Sequence, residues 1–224
     1  MIIAKFVFAI LLGYLIGSIP FGVIIGRIFT GVDVRNYGSG KMGATNVLRT
    51  AGKKAAILVG VLDLLKGVLA VVFAGLIVGD KFLIIGDFGV GMVVSQVCAA
   101  LAAVAGHNWP IFLKFKGGRG VATFFGGLVA LYPPAALFGG EVLILSVGLT
   151  RFVSFGSIAG VIACYAVLIP LTIINGTSYV VLAYALIGAI VIIVMHKDNI
   201  VRLVKGKERK FGEKAELPNK SPQS

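Results

Sequence analysis

Three short runs carry the residue types that could do chemistry in this chain. The first, G-S-G-K-M-G-A-T-N-V-L-R over residues 38–49, offers Ser39, Gly40, Thr45 and Asn46 as turn formers and hydrogen-bonding groups. Arg49 follows one turn later if Thr45–Arg49 is a short interfacial helix. The second, F-K-G-G-R-G over 115–120, places Gly117, Gly118 and Gly120 around Arg119, with Lys116 just ahead. Glycine lets backbone approach an anion, a following helix presents its positive end, and Arg can fork onto two phosphate oxygens. The G-x-x-x-x-G-K-[ST] order of a Walker loop is absent. The third run, H-K-D-N-I-V-R-L-V-K-G-K-E over 196–208, sets His196 and Asn199 three residues apart, on one face of a continuing helix. Alone, His196 would be a snorkelling residue at a helix end. Beside two glycine-rich basic runs it becomes a candidate site residue, and the chemistry these types favour is the holding of phosphate groups.

The elements that must position these runs are membrane helices. Hydrophobic residues make up 58% of the 224-residue chain, glycine adds 31 more, only 13% are charged, and mean hydropathy is +1.01. Soluble domains reach roughly 45–50% apolar with glycine counted in. Apolar stretches at 3–27, 55–79, 89–106, 156–175 and 179–196 fit single spans. The stretch 121–150 is too long for one and is interrupted by Tyr132-Pro133-Pro134. Eighteen of the 21 Lys and Arg fall in four islands, 27–54, 114–119, Arg151 and 197–220. Seven crossings with the N-terminus outside put all four islands in the cytoplasm, whereas six would split them, so the positive-inside bias selects two short crossings hinged at Pro133-Pro134. The expectation is an all-α integral membrane protein of seven helices with a cytoplasmic C-terminus. Residues 1–210 form one polytopic domain and 211–224 a disordered tail. Gly17-Ser18-Ile19-Pro20 reads as a kink within a retained first span.

Inside the second span, Asp63 and Lys66 form an i, i+3 pair that is costly at membrane depth and is expected to be structural or to line the site. Ser154 and Ser157 are expected to cap the sixth helix, with Ser154 also a candidate anion donor. Cys98 and Cys164 lie in apolar spans without ligand spacing and read as small hydrophobes. The chain has no G-x-S-x-G elbow, no metal-ligand set, no paired carboxylates and no H-x-x-x-x-D motif. So little acid–base equipment suits an already activated substrate, where orientation and charge stabilisation do most of the work. A transporter of a phosphorylated metabolite would share the cations, but it should place broken helices near the midplane in matching halves. A lipid-binding scaffold would not need the glycine runs.

Taken in order, the three runs resemble the three motifs of the bacterial acyl-phosphate:glycerol-3-phosphate acyltransferases, and G-S-I-P-F-G and D-L-L-K-G extend the likeness from about Tyr14 to Glu208. The resemblance implies a seven-helix inner-membrane enzyme that moves a fatty acyl group from acyl phosphate to the 1-hydroxyl of glycerol 3-phosphate, giving lysophosphatidic acid and inorganic phosphate. It also implies functional roles for Ser39, Arg49, His196 and Asn199, phosphate binding by Gly117, Gly118 and Gly120, and a structural role for Glu208. Lys116, Arg119 and the loop amides would hold one phosphate; Ser39, Arg49, His196 and Asn199 would hold the other or orient the attacking hydroxyl, and Gly40, Thr45, Asn46 and Ser154 are further candidates for substrate or phosphate binding. Neither cofactor, metal nor nucleic acid is expected, and the chain would act as a monomer among membrane lipids. Two departures stand out: the family usually reads G-S-G-N where this chain has Lys41, and K-G-G-K-G where it has Arg119.

Overall fold

The computed structural model describes residues 2–85 and 88–215. It is helical, with α1 Ile2–Ser18, α2 Phe21–Thr30, α3 Ala44–Val78, α4 Met92–Asn108, α5 Val121–Leu131, α6 Pro133–Thr150, α7 Val153–Asn175, α8 Tyr179–Met195 and α9 Lys197–Val204. Among the described residues, five stretches are long and apolar enough to cross a membrane: α1 with α2, α3, α4 with the turn after it, α6 and α7. The pair α8 and α9, bent by 61°, makes up to six. Helix α5 has 11 residues, about 16 Å of rise, roughly half a hydrocarbon core.

Sequence punctuation explains most boundaries. The first apolar stretch breaks at Ile19-Pro20, where proline removes an amide donor. Helices α5 and α6 part at Tyr132, with Pro133 in the first turn of α6. Gly52, at φ 85°, interrupts α3 and separates its first turns, which carry Asn46 and Arg49, from the apolar span. One element was not foreseen. A small antiparallel ribbon, β1 Leu83–Ile85 with β2 Phe88–Val90, pairs Leu83 with Val90 ahead of α4, so the third span starts at Met92 rather than Gly89.

Many glycines serve helix contact rather than loops. A side chain at Gly13 or Gly17 would collide with the backbone of Ala99 or Ala103, which fixes α1 against α4. Gly67 sits on the Thr123 carbonyl and Gly126 on that of Leu64, which locks α3 to α5. Tyr184 of α8 stacks on Phe124 of α5 at 5.2 Å between ring centroids and donates to the Phe124 carbonyl at 2.9 Å.

These contacts gather the segments 31–46, 109–120, 151–157 and 196–215 at one end of the bundle. Within the stretch expected to be a disordered tail, residues 211–215 lie against the body: Phe211 N donates to Arg151 O at 2.7 Å and Ala215 N to Arg49 O at 3.0 Å. Residues 216–224 lie outside the described residues.

Candidate active site

A cavity of about 290 Å³ opens at that end, lined from the 39–49 segment, α3, the 119–125 segment, α6, α7, His196, Asn199 and residues 208–209. The first motif owes its shape to Asn46, which is buried. Its Nδ2 donates to Val34 O at 2.8 Å, Lys41 O at 2.8 Å and Tyr37 O at 3.2 Å. Its Oδ1 accepts from Ser39 N at 2.8 Å. Gly38 must be glycine, because at φ 58° its Cβ would press on Asn46 Oδ1. This wrapping presents Ser39, Lys41 and Thr45 to the cavity at the N-terminal end of α3, where unpaired amides and the helix dipole favour an anion.

Arg49, one turn further on, is 9% exposed; its Nη2 reaches Arg209 O at 3.4 Å, and its Nε has no partner. Arg119 and Gly120 bring the start of α5 to the same space, as Val153 and Ser154 bring the start of α7. Three helix N-termini therefore converge with Lys41, Arg49 and Arg119, and Arg209 is a fourth cation on the lining. Burial, then the Arg209 charge, lowers the Arg49 pKa; burial lowers that of Arg119 to about 10; burial, then the Arg119 charge, lowers that of Lys41. At about 10, Arg119 stays protonated at neutral pH, and a bound anion would oppose all three shifts.

His196 lies at the bend between α8 and α9 and is buried. Its Nδ1 is 2.8 Å from Ile192 O. A carbonyl only accepts, so Nδ1 carries the hydrogen and Nε2 is left as an acceptor. Glu208 ties the third motif together: Oε1 accepts from Asn199 Nδ2 at 2.6 Å and Ser154 Oγ at 3.0 Å, and Oε2 from Arg202 Nε at 2.7 Å. Burial alone would raise the Glu208 pKa, but these three hydrogen bonds and the Arg202 charge outweigh it and hold the carboxyl below its usual range. Deeper in the cavity, Asp63 Oδ1 pairs with Lys66 Nζ at 2.7 Å and lies 3.5 Å from His107 Nδ1. On the apolar side the wall is built from Val121, Ala122, Phe125, Leu143 and Val153.

Of the candidate site residues from the sequence, Ser39, Thr45, Asn46, Arg49, Asp63, Arg119, Gly120, Ser154, His196, Asn199 and Glu208 line this one cavity, as does Ser157. Five do not. Lys116 is exposed and is not on the lining. The amides of Gly117 and Gly118 are already used, donating to Asn108 O at 3.1 Å and His107 O at 3.0 Å. A side chain at either would strike His107, so these glycines let the chain fold back along the end of α4. Gly40, at φ 68°, closes its turn by donating to Tyr37 O at 3.1 Å, and Lys66 stops at Asp63. Ser154 and Ser157 cap nothing: Ser154 donates to Glu208, and Ser157 to Val153 O at 2.8 Å. Unforeseen lining residues are Lys41, His107, Phe125, Leu143 and Arg209. The first two lie inside the quoted motifs, and the rest carry no local signal.

Residues 7–206 match the family described as glycerol-3-phosphate acyltransferase. The chain belongs to that family. Among its relatives, glycerol-3-phosphate acyltransferase 3 of Dehalococcoides mccartyi is 58% identical over 217 residues, covering 96% of this chain and 100% of the relative. The glycerol-3-phosphate acyltransferase of Thermus thermophilus is 41% identical over 210 residues, covering 94% and 97%. Among solved structures, the integral membrane glycerol 3-phosphate acyltransferase PlsY (YgiH) superposes with a TM-score of 0.79 at 38% identity, over 92% of this chain and 96% of that one, in its glycerol 3-phosphate form. Its lysophosphatidic acid form superposes at 0.78. Membership accounts for the order of the three motifs and for the crowding of their polar groups at one end of an apolar bundle.

Proposed function

We propose that this chain transfers a fatty acyl group from acyl phosphate to the 1-hydroxyl of glycerol 3-phosphate, giving lysophosphatidic acid and inorganic phosphate for phospholipid synthesis. The observation that carries the reading is the cavity itself, where Lys41, Arg49 and Arg119 face three helix N-termini and an apolar wall. Such a site takes two phosphates and one acyl chain.

In the reaction, the glycerol oxygen attacks the acyl carbon. The bond from that carbon to the phosphate oxygen breaks, and phosphate departs with the electron pair. Acyl phosphate is a mixed anhydride with a stable leaving group, so holding the two anions together provides much of the acceleration. Arg119 and the α5 amides hold one phosphate; Arg49, Ser39 and the α3 amides hold the other. His196 Nε2 accepts the hydrogen bond of the attacking hydroxyl and orients it, while the departing phosphate is able to carry off the proton. Phe125 and Leu143 receive the start of the acyl chain.

The same reading places seven crossings in a bacterial cytoplasmic membrane, with the N-terminus outside, α5 as the short fourth crossing and the cavity facing the cytoplasm. It treats residues 1–210 as one unit and the monomer as the working species. The test incubates pure, detergent-solubilised protein with glycerol 3-phosphate and either a long-chain acyl phosphate or acyl-CoA. Equimolar phosphate and lysophosphatidic acid with acyl phosphate alone is the expected result. Folded protein that forms no product with either donor would overturn it and direct attention to uptake assays for a transported phosphate ester.

A further inference from the structure

Between α4 and the glycine run, residues 109–116, W-P-I-F-L-K-F-K, form a surface that the cavity leaves almost unused. Trp109 is 41% exposed, Ile111 50%, Phe112 60% and Phe115 58%, with Lys114 and Lys116 exposed among them. Four apolar side chains displayed together on a connecting loop are unusual on a surface bathed only in water. The loop is also firmly shaped. Leu113 N and Phe115 N both donate to Pro110 O, at 3.1 and 3.0 Å, and Lys116 N donates to Leu113 O at 3.1 Å. Tyr14 Oη, near the end of α1, donates to Trp109 O at 2.8 Å.

Lys114 and Phe115 adopt φ of 51° and 60°, a left-handed conformation that is strained for residues with a side chain. The backbone is thus held in a costly form, directly beyond the ends of two apolar helices, and the result is a display of aromatic rings between lysines.

We infer that this loop is an interfacial anchor that seats in the anionic lipid leaflet on the cavity side. Trp109, Ile111, Phe112 and Phe115 enter the boundary between headgroups and chains, and Lys114 and Lys116 meet lipid phosphates above them. Aromatic rings favour that boundary, lysine stems reach up to it, and the anionic surface complements a chain of net charge +12. The anchor also has a consequence for the site. Arg119 follows Lys116 by three residues, so the seated loop fixes the cavity mouth at headgroup depth, where an anionic amphiphile arrives by lateral diffusion. The anchor rests on membrane embedding and not on the acyl-transfer reading.

Trp109 is the sole tryptophan of the chain, so its fluorescence reports this loop alone. The full-length protein is reconstituted into nanodiscs of phosphatidylglycerol or phosphatidylcholine whose acyl chains carry bromine near the headgroup or near the methyl end. Headgroup-side bromine should quench at least about twofold more than chain-end bromine, aqueous iodide should quench weakly, and emission should be bluest in phosphatidylglycerol. The Lys114→Gln/Lys116→Gln variant should lose the preference for phosphatidylglycerol. Efficient iodide quenching with no bromine effect would overturn the anchor and leave the patch to a soluble protein partner. A protein that shows the lipid signature but no acyl transfer would count against the function and leave the anchor standing.

Discussion

Replacing Glu208 with alanine removes one carboxylate and strands three donors that meet nowhere else. Asn199 Nδ2, Ser154 Oγ and Arg202 Nε all end on it at 2.6–3.0 Å, and the Glu208 side chain is 6% exposed. Hydrogen bonds to a charged group are each worth about 1.5–3 kcal/mol. Their simple sum overshoots because Arg202 is 34% exposed and regains water. Removing one partner of a buried charged cluster costs about 3–5 kcal/mol, which for a chain of this size lowers the melting temperature by about 6–20 °C. The damage should spread along the chain, because residues 209–215 are fastened to Arg49 and Arg151 by hydrogen bonds that begin just after Glu208. Thermal unfolding in detergent measures the first effect. Limited trypsin digestion at Arg209, Lys210 and Lys214 measures the second, and the variant should be cut much faster. Asn199→Ala should add little to Glu208→Ala, since both break the same contact. A variant with unchanged melting temperature and unchanged tryptic pattern, yet no turnover, would refute the clamp and make Glu208 a group that acts on substrate.

Four further outcomes follow from the same geometry. Lys116→Ala should leave kcat/KM within about twofold, whereas Arg119→Ala should lower it on the order of 100-fold with stability little changed, because only Arg119 reaches the cavity; steady-state kinetics on both decides. Gly118→Ala, whose Cβ would press into the His107 ring, should fail first in thermal unfolding, while a variant of full stability that lost phosphate affinity would restore a direct phosphate role to that glycine. His196→Gln keeps a hydrogen-bond acceptor without a titrating ring, so unchanged turnover across neutral pH is expected from an orienting role and a lost pH dependence would make His196 a base. Because the folded pKa of Glu208 is depressed, its contribution is present above the unfolded value of about 4.3 and drains away as pH falls through the lower folded value; Glu208→Gln should flatten the acid limb of a melting-temperature profile below about pH 4.5.

The sequence makes the ingredients of the site legible, because two glycine-rich basic runs and the His196 run fall on one membrane face. It also marks the breaks at Pro20 and Pro133. It is silent on which donors the fold consumes. Asn46 and Asn199 look equally available in their motifs, yet Asn46 uses both ends of its amide to wrap the 34–41 loop, while Asn199 commits only its nitrogen, to Glu208. Lys116 and Arg119 are both cations in one glycine run, and only the fold-back along α4 decides that the first faces outward and the second inward. Likewise Leu143 and Phe125 are ordinary apolar residues until α6 and α5 bring them to one wall.

The unmet polar groups of the cavity are visible only in three dimensions. Asn199 Oδ1, Arg49 Nε and Arg119 Nε are buried without a hydrogen-bond partner among the described residues, as are Asp63 Oδ1 and His107 Nδ1, which face each other. An unmet buried polar group costs about 1–3 kcal/mol, a penalty that chains rarely retain without a ligand to answer it. Arg49, Arg119 and Asn199 line the same cavity, two offering hydrogen-bond donors beside a full positive charge and one an acceptor. On the proposed reading, Arg119 answers one phosphate, Arg49 the other, and Asn199 Oδ1 a hydroxyl of the substrate between them.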